Sequence, residues 1–182
     1  MNSRQVSALV LLDLSSAFDT IDHTILFKRL NSYYGISDSA FSLLSSYLSN
    51  RSQSVTIDGD ISQSLPLTRG VPQASVLGPL LFILYTTPIS DVLTDSSVQF
   101  HFYADDTQLY ISFSSSESFE SLSKLSSTLD LVYSWFCANR LVVNPSKTEH
   151  LLIGTPQQRS KVTDATIHFN SLALSLLMLC VI

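Results

Sequence analysis

The stretch Ser97–Phe113, SVQFHFYADDTQLYISF, sets two apolar runs on either side of an acidic pair. Val98, Phe100, Phe102 and Ala104 alternate with more polar or aromatic neighbours, and the alternation resumes at Leu109, Ile111 and Phe113. A period of two marks a half-buried strand, because successive side chains point to opposite faces of a sheet. The stretch therefore reads as two strands joined by a turn that holds Asp105 and Asp106. Adjacent carboxylates repel, and each must find water, a donor or a cation. On the pair alone, a solvated hairpin tip is the more economical reading.

Asp13 changes that balance. It ends the apolar run Ala8–Leu12, ALVLL, which suits a short buried central strand. If the two regions are sheet neighbours, three carboxylates meet at one sheet edge. Such a group suits two divalent cations about 3.5–4 Å apart, an arrangement that activates an attacking oxygen and neutralises a leaving phosphate. The spacing alone does not show that the strands are adjacent.

Around these residues the chain reads as alternating helices and strands. Asp22–Tyr34 carries a helical stripe closed by Gly35, and Asp38 caps a second helix through Leu48. Ser54–Asp58 and Ile61–Leu65 flank an Asp58-Gly59-Asp60 turn, a hairpin pattern. A helix starts at Gly78-Pro79 and runs through Leu80–Tyr85 until Pro88 interrupts it. Ser118–Asn139 is a long helical pattern, and Thr148–Ile153 is a further strand. This order predicts an α+β fold, an antiparallel sheet backed by helices.

Composition sets limits on function. Charged residues are 14% of the 182, below the usual share of about 25%. Part of the surface is thus expected to be covered by something else. The formal net charge of −5 argues against a self-sufficient nucleic-acid binder, which usually shows a basic patch. Cys137 and Cys180 are far apart, so reduced thiols without a disulfide partner are expected, in an intracellular protein. The apolar tail Leu172–Ile182 is too short to cross a bilayer, which takes about 20 residues, so no membrane partner is expected. His101, His150 and His168 show no zinc spacing, and His23 reads as a structural hydrogen-bonder.

Four stretches together resemble the catalytic motifs of reverse transcriptases, in the family's order. They are LLDLSSAFDTIDH (Leu11–His23), RGVPQASVLGPLLF (Arg69–Phe82), YADD (Tyr103–Asp106) and LVVNPSKTEHLLIG (Leu141–Gly154). The forms AFDTIDH and GVPQ-x-SVLGP are similar to the non-LTR (LINE-like) retrotransposon enzymes. Group II intron enzymes share YADD. Another two-metal palm enzyme, such as a nucleotide cyclase, accounts for the carboxylates but not for GVPQ-x-SVLGP.

The resemblance implies a polymerase palm, a ferredoxin-like split βαβ sheet with partial fingers. It implies a single partial domain over 1–182, with a palm core at about 6–154 and a degenerate tail at 155–182. It also implies RNA-directed DNA synthesis with two Mg²⁺ ions, Mn²⁺ being a substitute, on an RNA template, a DNA primer and a dNTP.

Residue roles carry over by position. Asp13 and Asp105 would hold both metals, Asp106 would be a less direct acidic contributor, and the Leu14 carbonyl a further ligand. Phe18 falls where the family places a gate against the ribose 2′-hydroxyl. Gln73 falls at the incoming nucleotide. Lys147 lies near the leaving pyrophosphate, where a mobile cation offsets charge or donates a proton. Arg69 and Ala74 would touch the template. Asp19 and Asp22 read as helix-capping or local structure.

The sequence also departs from the family. Ala74 stands where glycine is usual, which restricts the backbone there. Upstream finger segments and a thumb are not seen in these residues. Both departures imply impaired activity or an inactive remnant that acts at most as a binding module.

Overall fold

A computed structural model describes residues 5–169, 172–174 and 176–180. Contacts divide the chain into two compact units: Ser16–Thr87, and the segments on either side of it.

The flanking segments build a five-stranded sheet. Its strands are β1 (Val6–Leu12), β2 (Gln99–Tyr103), β3 (Asp106–Phe113), β4 (Glu149–Gly154) and β5 (Leu176–Cys180), in the order β5-β4-β1-β3-β2. The apolar β1 takes the centre. It runs antiparallel to β3 and to β4. The acidic stretch forms the β2–β3 hairpin, so the two-strand reading of Ser97–Phe113 holds.

One face of this sheet is the core. Val6, Ala8, Val10 and Leu12 lie opposite Phe113, Ile111, Leu109 and Thr107 of β3, and all eight are buried. The long helix Ser118–Ala138 packs against β3. It buries Leu122, Leu125, Leu129, Val132 and Phe136, a stripe at helical spacing. Burying each such side chain stabilises by roughly 1.5–3 kcal/mol. The helix closes at Arg140, whose φ of 59° lets the Leu141 N–H reach back to the Phe136 carbonyl at 2.9 Å.

One expectation needs correction here. The sheet is mixed, because β5 runs parallel to β4. Within the tail, β5 and the short pair His168–Phe169 with Leu172–Ala173 are strands. The last two tail residues and the Cys180 side chain lie outside the described portion. Cys137 is a free, exposed thiol. Among the described residues no helix is long and apolar enough to cross a membrane.

The Ser16–Thr87 unit holds three helices. Helix α1 (His23–Ser32) is capped by Asp22, whose carboxylate accepts from the N–H groups of Thr24 and Ile25 at 2.9 and 3.2 Å. It buries Leu26 and Leu30 and packs against α3 (Leu77–Thr86), which buries Leu81, Phe82 and Tyr85. Between them comes α2 (Asp38–Leu48), whose N-cap is Ser37. Asp38 is therefore the first helical residue, not the cap. The hairpin is present with a tighter turn than expected: Thr56–Ile57 pairs with Asp60–Ile61 around Asp58-Gly59. Both turn residues have positive φ, which places Asp60 in the strand.

His150 is an unusual core residue. It is fully buried on β4 opposite Val10, and among the described residues neither ring nitrogen has a hydrogen-bond partner. Burial strips the charged ring of hydration and pushes its pKa down to about 4. The unfolded chain binds a proton near pH 6.5, whereas the folded chain waits until about pH 4. Stability is therefore fully present above pH 6.5, falls as pH drops through that window, and levels off below it. We expect a loss of roughly 3 kcal/mol between neutral pH and pH 4, read by urea unfolding. His150→Leu should remove that share of the pH dependence, and an equally pH-dependent variant would contradict it.

Candidate active site

Asp13 follows β1 directly. The β1–β3 register pairs Leu12 with Thr107, so continuing it by one step sets Asp13 beside Asp106. Both carboxylates line a cavity of about 400 Å³ together with Lys147 and Glu149. Asp105 is in the hairpin turn and is not part of that lining. The turn residue before it, Ala104, has a φ of 52°, a left-handed conformation that costs an L-residue about 1–2 kcal/mol. Among the described residues no group of three His, Cys, Asp or Glu side chains is arranged to cage an ion. The structure thus brings Asp13 and Asp106 together and leaves Asp105 one residue away, at the tip.

Lys147 Nζ lies 3.8 Å from Asp13 Oδ2. The lysine side chain is 68% exposed and the aspartate 28%, so this loose pair contributes at most about 1 kcal/mol. Backbone bonds hold the Lys147 loop in place. The Asn144 N–H donates to the Asp13 carbonyl at 2.8 Å, and the Lys147 N–H donates to the Asn144 carbonyl at 3.2 Å. The Asn144 side chain accepts from the Ser146 N–H and hydroxyl at 3.1 and 2.7 Å. Leu14 pairs with Val143 in the same short ladder. Because that ladder uses the Asp13 carbonyl, Leu14 sits in the non-hydrogen-bonded position and its own carbonyl points away from Val143.

The residues sequence reasoning missed here are Glu149 and Asn144. The only signal for Glu149 is its place two residues after Lys147 at the start of a strand. Its meaning appears only when β4 pairs with β1 and sets Glu149 opposite Leu11.

The Ser16–Thr87 unit holds the other predicted residues. The Gly70 N–H donates to the Ile21 carbonyl at 2.8 Å, and the Val71 N–H to the Phe18 carbonyl at 2.9 Å. These bonds fasten the Arg69–Gln73 loop onto the segment after Phe18. Gly70 is required there: its φ is +82°, and a Cβ would come within 3.0 Å of the Asp19 carbonyl oxygen. His23 Nε2 bonds to the Gly70 carbonyl at 2.7 Å, the structural role expected of it. The Phe18 ring lies 4.8 Å from that of Phe82. Gln73 Nε2 donates to both Asp19 carboxylate oxygens at 3.0 Å. A cleft of about 560 Å³ is lined by Asp19, Gln73, Arg51 and Arg69, among others. Ala74 has a φ of 56°, the backbone conformation that favours glycine.

Comparison with known proteins agrees with the four motifs. The family model described as reverse transcriptase (RNA-dependent DNA polymerase) matches residues 1–170. The RNA-directed DNA polymerase from mobile element jockey of Drosophila melanogaster is 31% identical over 113 residues, 59% of this chain and 12% of that protein. Its counterpart from Drosophila funebris is 32% identical over 111 residues, 58% of this chain and again 12% of that protein. The chain therefore spans about one eighth of the length of these relatives. Apo telomerase from Candida tropicalis, truncated from its C-terminal domain, shares the fold, with a TM-score of 0.62 at 14% identity over 92% of this chain and 34% of that one. The chain belongs to the reverse transcriptase (RNA-dependent DNA polymerase) family.

Proposed function

We propose that this chain is the part of an RNA-directed DNA polymerase that binds divalent cations and the incoming nucleotide. The observation that carries this reading is the β1–β3 register, which sets Asp13 beside Asp106 at one cavity. The β4-β1-β3-β2 order, with β2 and β3 joined as a hairpin and a helix leading into β4, supports a ferredoxin-like palm. The family match runs through both compact units, which supports a single partial domain.

The donor set fits a hard cation. The carboxylates of Asp13 and Asp106, that of Asp105 in the adjoining turn and the Leu14 carbonyl turned out of its ladder are all oxygen donors. Mg²⁺ keeps several waters and is usually bound by one or two carboxylates plus substrate phosphates. When bound, two such ions polarise the attacking primer hydroxyl and neutralise the leaving pyrophosphate. The reaction in this reading joins a primer 3′-oxygen to the α-phosphorus of a dNTP as the bond to pyrophosphate breaks.

The chain's own residues do the rest. Lys147, on a loop tied to Asp13, offers a mobile positive charge to the pyrophosphate. Phe18, braced by Phe82, excludes a 2′-hydroxyl by bulk. Gln73 orients the nucleotide, and Arg69 and the Ala74 backbone face the template. The net charge of −5 leaves most of the phosphate neutralisation to the cations and to other contacts.

Ala74 lowers the activity in this account. A methyl group at positive φ strains the loop and blocks close approach. A non-enzymatic remnant is the second reading, and Ala74 is the observation that favours it. Ala74→Gly should raise stability by about 1 kcal/mol in urea unfolding and should raise primer extension. No gain in either would show that the loop tolerates alanine.

The principal test is Mg²⁺-dependent extension of a DNA primer on an RNA template. The parent should incorporate dNTPs, and Asp105→Ala and Asp106→Ala should each lower the rate on the order of 10²-fold or more. No incorporation by the parent, or equal incorporation by the variants, would reject the polymerase reading for this chain.

A further inference from the structure

The hairpin between α2 and α3 projects from its unit, and every residue from Arg51 to Pro66 is exposed. Its strands pair as Ser52–Gln53 with Leu65–Pro66 at the base and as Thr56–Ile57 with Asp60–Ile61 at the tip. Between them the Ser62 N–H donates to the Val55 carbonyl at 2.9 Å. A two-stranded hairpin on its own is marginal in water. This one also holds Val55, Ile57, Ile61 and Leu65 outward, each more than half exposed. Four such side chains on one arm form a patch that favours being covered.

The two ends of the arm carry opposite charge. The tip is the convex turn Asp58-Gly59-Asp60. The base is concave and basic, a cleft of about 560 Å³ lined by Arg51 and Arg69 together with Gln53, Pro66 and Leu67. Arg51 is anchored there. Its carbonyl accepts from the Leu67 N–H at 2.8 Å, and its guanidinium donates to the Tyr47 carbonyl at 3.4 Å. Asp19 also lines the cleft, but both its carboxylate oxygens already accept from Gln73 Nε2.

We propose that this hairpin is a self-association arm whose partner is the same hairpin of a second copy of the chain, lying antiparallel to it. One chain holds both the acidic knob and the basic socket. A two-fold axis therefore satisfies both at once: each tip enters the other copy's cleft, and the apolar middles cover each other. Such an isologous contact closes at two copies. The net charge of −5 repels two copies at a distance, but salt screens that repulsion beyond about 8–10 Å, and the charges that meet at contact are opposite. One arm covers less than the roughly 1,600 Å² of a standard interface, so the association is weak and concentration-dependent. The carboxylates of Asp13 and Asp106 play no part in it, and the proposal does not rest on the polymerase reading.

Sedimentation equilibrium of the full chain tests this. The weight-average mass should rise with concentration from 20.1 kDa toward twice that value. Asp60→Lys reverses the tip, and Arg51→Glu reverses the base. Both positions are exposed, so each variant should leave the unfolding midpoint nearly unchanged. Each alone sets like charges together at both ends of the two-fold contact and should weaken association about tenfold or more. An equimolar mixture of the two variants should recover the parent's association. In it the reversed tip of one chain meets the reversed base of the other, and the remaining tip and base are those of the parent. A parent that stays monomeric at every concentration would overturn the proposal. So would variants that associate as strongly as the parent, or a mixture that associates no better than either variant alone.

Discussion

The pairing of β1 with β3 is the constraint on which the rest of the structure depends. Strand side chains alternate, so a one-residue slip in that ladder would carry Val6, Ala8, Val10 and Leu12 from the core face to the other face. The hydrophobic effect therefore fixes the register tightly. The same register decides that Asp13 emerges beside Asp106. Two like charges are brought together as a by-product of burying apolar strands on both sides of them. Their repulsion is tolerated because the chain places them where the two strands end, beside a cavity and a lysine.

Some of the chain's left-handed backbone positions lie near the same places. Ala104, in the turn before Asp105, and Ala74, after Gln73, both hold positive φ without the freedom of glycine. So does Ser16, three residues after Asp13. Such conformations cost of order 1–3 kcal/mol each and persist where the surroundings over-determine them. At Ala104 the β2–β3 ladder supplies that constraint, since Tyr103 and Asp106 pair directly across the turn. At Ala74 the neighbouring loop is tied to the Phe18–Ile21 segment. The Ala104 turn holds Asp105, proposed for the metals, and Ala74 follows Gln73, proposed for the nucleotide.

Much of this was legible beforehand. Strong periodicity located the long helix after Ser118 and the two strands around the acidic pair. Asp22 and Gly35 marked the ends of α1 because capping is a local chemistry. What failed was information that local sequence does not carry. Ser37 and Asp38 are both good caps, and the backbone chose between them. The parallel pairing of β5 with β4 is set by sheet topology, not by the apolar pattern of the tail. The site shows the same division. The motifs named Asp13, Asp105, Asp106 and Gln73. They did not show that Asp105 stands at the hairpin tip while Asp106 faces the cavity, nor that Asp19 holds Gln73. Those facts depend on register and on contacts across 54 positions.

The central claim is that the carboxylates of Asp13 and Asp106 form a divalent cation site, and paramagnetic broadening by Mn²⁺ in NMR spectra tests it most directly. The account predicts that resonances of Asp13, Leu14, Asp105, Asp106 and Lys147 broaden at the lowest Mn²⁺ concentration, and that Asp13→Asn abolishes this first phase. Broadening that begins elsewhere, such as at the Asp58 and Asp60 hairpin, or that persists unchanged in Asp13→Asn, would contradict it.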